Sequence, residues 1–141
     1  MITYIAENIE LPEIDQNVIN RWIKLIAGQY GKKTGSINYI FCSDERILEV
    51  NKQYLQHDYY TDIITFDYGL GHVISGDIFI SIDTVADNAK EMGIGLIDEL
   101  QRIMIHGVLH LCGQDDKTPE LREEMTAKEN AALERLQKEL L

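Results

Sequence analysis

Apolar residues recur along this chain in two rhythms, and the changes between them mark out the elements. Residues 1–7 alternate as a strand that Leu11-Pro12 breaks. Val18, Ile19, Trp22, Ile23 and Ile26 then fall on one helix face, with Asp15 placed to cap it and Gly28 and Gly31 to end it. Residues 36–42 return to the strand rhythm through Ile37, Tyr39 and Phe41, and Ser43 caps a helix carrying Ile47, Leu48, Val50, Tyr54 and Leu55. Two β-branched-rich runs at 63–66 and 77–82, joined across Gly69, Gly71 and Gly76, predict an antiparallel hairpin. Asp83 is a suitable cap for a short helix reaching Met92, with Val85, Ala86 and Ala89 inward. Gly93 and Gly95 bracket a break before a long helix over 96–112, whose Ile97, Leu100, Ile103, Met104, Val108, Leu109 and Leu111 suit a buried element. Thr118-Pro119-Glu120 opens the last helix, and its Leu121, Met125, Leu133, Leu136 and Leu140 cover the domain. The pattern predicts an α+β fold over residues 1–141, a single domain with a small mixed four-stranded sheet and helices packed on it.

Length and composition fit that expectation. A chain of 141 residues can bury a real core. No apolar run approaches a membrane span, and the start Met1-Ile2-Thr3-Tyr4-Ile5 lacks the basic and apolar regions of a signal peptide. Cys42 and Cys112 offer no disulfide framework. A cytoplasmic protein without a membrane partner is expected.

The most informative stretch is 106–116, with His106 and His110 four residues apart, then Gly113, then Asp116 three residues on. On a helix the two histidines stack on one face. Gly113 can end the helix in the left-handed conformation and let the chain bring Asp116 back to the imidazoles. Three protein ligands with an open fourth position suit a catalytic zinc, one per chain. Two imidazoles and a carboxylate also suit iron, nickel or manganese. Asp115 reads as a helix-exit loop residue more than as a competing ligand, and Cys112 points to the opposite face and reads as a small core residue. A zinc peptidase of the His-Glu-x-x-His kind carries its general base directly after the first histidine; here that position is Gly107.

These residues resemble the signature of the YbeY family of single-strand-specific metallo-endoribonucleases, His-Gly-x-Leu-His-Leu-x-Gly-x-Asp-His, through His106, Gly107, Leu109, His110, Leu111, Gly113 and Asp115. Asn51, Tyr54, Asp58, Thr61, Asp62 and Phe66 match a second block of that family, and Gly76-Asp77-Ile78 with Ile80-Ser81 a third. Three positions depart from it. Asp116 stands in place of the last histidine, Leu55 in place of an arginine, and Tyr60 in place of a proline. The resemblance implies a zincin-like metal-hydrolase fold and a zinc-dependent endoribonuclease. Its substrate would be single-stranded or ribosomal RNA, its roles 16S rRNA 3′-end maturation and ribosome quality control, and its partners the ribosome or ribosomal proteins.

A formal net charge of −11 is the wrong sign for gripping an RNA backbone over a broad surface. Such an enzyme would depend on the metal, on a few cations among Lys32, Lys33, Arg46, Lys52 and Lys117, or on delivery by the ribosome. Lys32-Lys33, the one adjacent basic pair in that group, reads more simply as a solvated loop. With no glutamate at 107, the proton can go to metal-bound hydroxide, to a substrate oxygen, or to a carboxylate such as Asp62. Asp62 and Asp77 read equally well as turn or strand-end carboxylates. Arg102, one turn before His106, can reach a phosphate or pair with Asp98 or Glu99, and His57 and His72 fall in exposed loops. Two other functions share the ligand set: a ribosome-associated factor with a structural metal, and a metal-dependent amide or peptide hydrolase.

Overall fold

Parallel pairing sets the centre of the sheet. The computed structural model describes residues 1–57 and 60–141, so Asp58 of the second block lies outside the described residues. Strand β1 (Ile2–Ala6) pairs in parallel with β2 (Lys33–Cys42), and β2 with β4 (Val73–Ser81). Strand β3 (Ile63–Asp67) runs antiparallel along β4 and forms an edge, in the order β1-β2-β4-β3. Parallel neighbours need a crossover, and helix α1 (Gln16–Gln29) supplies it between β1 and β2. Helices α2 (Asp44–Leu55), α3 (Ile82–Met92), α4 (Leu96–Leu111) and α5 (Pro119–Arg135) complete the α+β fold, α5 running on into a π-helical turn at Leu136–Leu140.

Strand alternation puts Ile37, Tyr39 and Phe41 on the same sheet face as Ile74, Ile78 and Ile80. That face packs against Trp22 and Ile26 of α1, Leu100, Met104 and Val108 of α4, and Met125 and Ala132 of α5. The polar ends of its aromatics are satisfied: Trp22 Nε1 donates to the Ala132 carbonyl at 2.8 Å, and the Tyr39 hydroxyl donates to the Met104 carbonyl at 2.9 Å. A smaller core of Cys42, Ile47, Val50 and Ile64 lies apart from it.

Caps form at Asp15, Ser43 and Thr118, whose side chains accept from the backbone N–H of Val18, Arg46 and Leu121. Asp83 does not cap. Strand β4 runs directly into α3, so Ser81 is the last non-helical residue and its hydroxyl accepts from Thr84 N–H at 3.3 Å. The Asp83 carboxylate accepts instead from Asp44 N–H at 2.9 Å, tying the starts of α2 and α3 together. The β3–β4 hairpin forms in the register Ile63↔Ile80 to Asp67↔Gly76. Because β4 begins at Val73, Gly76 lies within the strand and not in its connection. A Cβ there would stand 2.3 Å from the Phe66 carbonyl oxygen, so only glycine allows the two strands to close. Tyr54 and Leu55 are exposed; the buried face of α2 is Ile47, Val50 and Asn51. Among the described residues, no helix is long and apolar enough to cross a membrane.

Candidate metal centre

Helix α4 carries His106 and His110 one turn apart, their rings edge to face with centroids 4.5 Å apart. After Leu111 the chain turns at Gly113, whose φ of 101° strains any residue with a side chain. The turn returns Asp116 to the histidines, as the spacing predicts. Asp116 Oδ2 lies 3.4 Å from Nε2 of His106 and 3.4 Å from Nε2 of His110. One ligand atom from each of the three residues falls within 4.8 Å of the others, a group that can hold a metal ion. Asp115 turns away: its Oδ1 accepts from the backbone N–H of Asp116 at 2.7 Å and of Lys117 at 3.2 Å.

Both Nδ1 atoms face groups that only accept hydrogen bonds. His106 Nδ1 is 2.6 Å from Glu129 Oε2, and His110 Nδ1 is 2.9 Å from the Gln114 carbonyl oxygen. Each neutral ring therefore carries its proton on Nδ1, which leaves the Nε2 lone pair free on the side of Asp116. Helix α5 is behind both contacts. Glu129 reaches His106 directly, while Lys128 Nζ donates to Gln114 Oε1 at 2.5 Å and holds the residue whose carbonyl faces His110. Glu129 escaped the sequence reading because α5 is rich in acids. The available signal was its spacing, since Met125, Glu129 and Ala132 form the buried face of that helix.

Arg102 is not directed at a phosphate site. Its guanidinium donates to Glu129 at 3.1 Å and to Asn130 at 3.2 Å, and pairs with Glu99 at 3.6 Å. Asp62 lies near enough to His106 for their charges to interact, and accepts from Asn88 Nδ2 at 3.3 Å. Burial pushes its pKa above the usual carboxylate value, against the opposing pull of His106. For His106 burial acts to lower the pKa, but the Glu129 hydrogen bond and charge, with Asp116 and Asp62, outweigh it and raise the pKa above the ordinary imidazole value. Asp62, Glu99, Glu129 and Asp116 thus surround His106 and Arg102 with more negative than positive charge, which suits a divalent cation. Asp77 belongs elsewhere, bonded to Asn38 Nδ2 at 2.9 Å and the Tyr68 hydroxyl at 3.3 Å. Cys112 is half-buried beside Tyr30, Gln114 and Lys128, outside the ligand group; His57 and His72 are exposed.

Residues 2–137 match a family model described as Endoribonuclease YbeY. The chain belongs to that family. Among relatives named Endoribonuclease YbeY, that of Parabacteroides distasonis is 61% identical over 132 residues, which cover 94% of this chain and 93% of the relative. That of Bacteroides thetaiotaomicron is 58% identical over 132 residues, 94% of this chain and 96% of its own. The solution structure of TM1509 from Thermotoga maritima aligns with 96% of this chain and 89% of that one, at a TM-score of 0.65 and 26% identity.

In this YbeY family protein, Gly107 does more than lack a base. A Cβ there would lie 3.0 and 3.1 Å from Ile78 side-chain carbons and 3.2 Å from Ile63 Cδ1, because α4 presses on the sheet at this point. A glutamate would add a charge and three further heavy atoms beyond Cγ to that contact. Gly107→Glu is expected to destabilise the metal-free protein by roughly 3 kcal/mol or more. Urea unfolding measures this, and a variant as stable as its parent would mean that the helix does not sit so tightly on the strands.

Proposed function

We propose that this YbeY family member is a zinc-dependent, single-strand-specific endoribonuclease of the cytoplasm, acting in 16S rRNA 3′-end maturation and ribosome quality control, with ribosomal proteins as partners. The observation that carries the reading is the convergence of two Nε2 atoms on Asp116 beside a helix position with no room for a peptidase base. His106, His110 and Asp116 would hold the metal. Bound there, zinc supplies Lewis acidity and a water acidified toward neutral pH. The chain's own residues do the rest. Glu129 and the Gln114 carbonyl keep both Nε2 atoms available, and Asp62, with its raised pKa, stands near His106 as a place for the departing proton. A cavity of about 260 Å³ lined by Ile63, Thr65, Asp67, His110 and Leu111 gives a nucleotide next to the scissile phosphate a partly apolar wall.

Incubating the zinc-loaded protein with single-stranded RNA, its duplex and casein tests the reading. Cleavage of the single strand alone is expected. Proteolysis that disappears in His106→Ala, with no RNA cleavage, would overturn it. Glu129 gives a second expectation. A glutamine there has one accepting group and cannot serve both His106 and Arg102, so E129Q should weaken zinc binding by roughly ten- to a hundredfold. Competition with a chromophoric chelator measures it, and unchanged affinity would mean that Glu129 serves the fold alone.

A further inference from the structure

The acidic balance of the chain hides a local exception. A cavity of about 420 Å³ is lined by Met1, Lys24, Lys32, Lys33 and Thr34, so it takes three of the chain's 13 basic residues and none of its 24 acidic ones. Lys24 comes from α1, Lys33 opens β2, and Lys32 lies in the short turn between them. The crossover that brings β1 and β2 side by side therefore also gathers the three ammonium groups. None of the three forms an ion pair among the described residues, whereas Arg46, Arg102, Arg135 and Lys138 all do. Three uncompensated cations around one concavity repel each other, and an anion spanning them relieves that repulsion.

We propose that the groove of Lys24, Lys32 and Lys33 binds the phosphate backbone of single-stranded RNA at a distance from the cleaved bond. This rests on the endoribonuclease reading and explains how a chain with a net charge of −11 holds its substrate: through one basic groove, not through its overall field. The lysines act on binding and not on the bond-breaking step.

The test uses zinc-loaded protein and a fluorescent, 2′-O-methylated single-stranded RNA whose integrity after each titration is verified by gel electrophoresis, with affinity read by anisotropy over a range of salt concentrations. The triple variant Lys24→Gln/Lys32→Gln/Lys33→Gln is expected to bind on the order of tenfold more weakly at low salt. Its plot of log K against log salt should be shallower by about 2, since each single-strand phosphate contact contributes about 0.7. Zinc content should be unchanged. A control that removes the same charge elsewhere, Lys90→Gln/Arg122→Gln/Lys138→Gln, should keep the parent's slope. Equal slopes for parent and triple variant, or an equal loss in the control, would overturn the proposal. Cleavage of unmodified RNA separates it from the reading on which it rests: a parent that binds RNA through the groove but never cuts it contradicts the enzyme assignment alone.

Discussion

Replacing His110 with alanine is expected to weaken zinc binding by on the order of a hundred- to a thousandfold. Structural zinc sites with four ligands bind with roughly 10–16 kcal/mol, so each ligand is worth about 3 kcal/mol. His106→Ala should do at least as much harm, because it also leaves Glu129, 6% exposed, without its imidazole partner. Asp116→Ala should fall in the same range. Asp116→His should keep the metal, since imidazole nitrogen and carboxylate oxygen bind zinc at similar distances. Asp115→Ala should change nothing at the metal, because that side chain is bonded to the loop backbone. Metal analysis of protein purified without an affinity tag, followed by chelator competition, reads all five variants. Full metal in Asp116→Ala together with loss in Asp115→Ala would show that the third ligand is misassigned.

Leu55→Arg is expected to raise cleavage of naked single-stranded RNA by roughly ten- to a hundredfold, the scale of one charged donor acting on a transition state. Leucine at this place offers only packing, while a guanidinium offers a planar fork that matches phosphate oxygens. Leu55 is the last residue of α2 and is 41% exposed, so an arginine there displaces no core. Its effect on stability should be within about 0.5 kcal/mol, and zinc content should not change. Single-turnover cleavage and melting temperature, measured on both proteins, decide the matter. A lower melting temperature without a gain in rate would mean that Leu55 is structural and that any phosphate clamp lies elsewhere.

The elements most legible in the sequence were those whose periodicity and punctuation agree. Helix α1 has Asp15 before its apolar face, and α5 has Thr118-Pro119; both caps form where the residues place them. The antiparallel hairpin was legible from its two β-branched-rich runs. The start of β4 was not, because Val73 and Ile74 read as part of a glycine-rich connection until pairing with Lys33 and Thr34 of β2 extends the strand. Asp83 misled because aspartate and serine cap equally well, and the choice falls to whichever residue is last before the helical backbone. At the candidate site, His106, His110 and Asp116 were legible because their contact is local along one helix and its exit loop. Glu129 and Lys128 reach that site only after α5 folds across α4, a tertiary event that no local spacing records. The lysine groove is of the same kind: Lys32-Lys33 reads as a solvated turn until α1 brings Lys24 beside it.

Metal dependence is tested by single-turnover cleavage of a single-stranded RNA by chelator-stripped protein titrated with zinc. Cleavage should be absent at first, rise with added zinc and level off near one zinc per chain, and stay absent in His110→Ala over the same titration. Cleavage that persists after stripping, or that His110→Ala retains at the parent's rate, would contradict a metal-dependent nuclease centred on His106, His110 and Asp116.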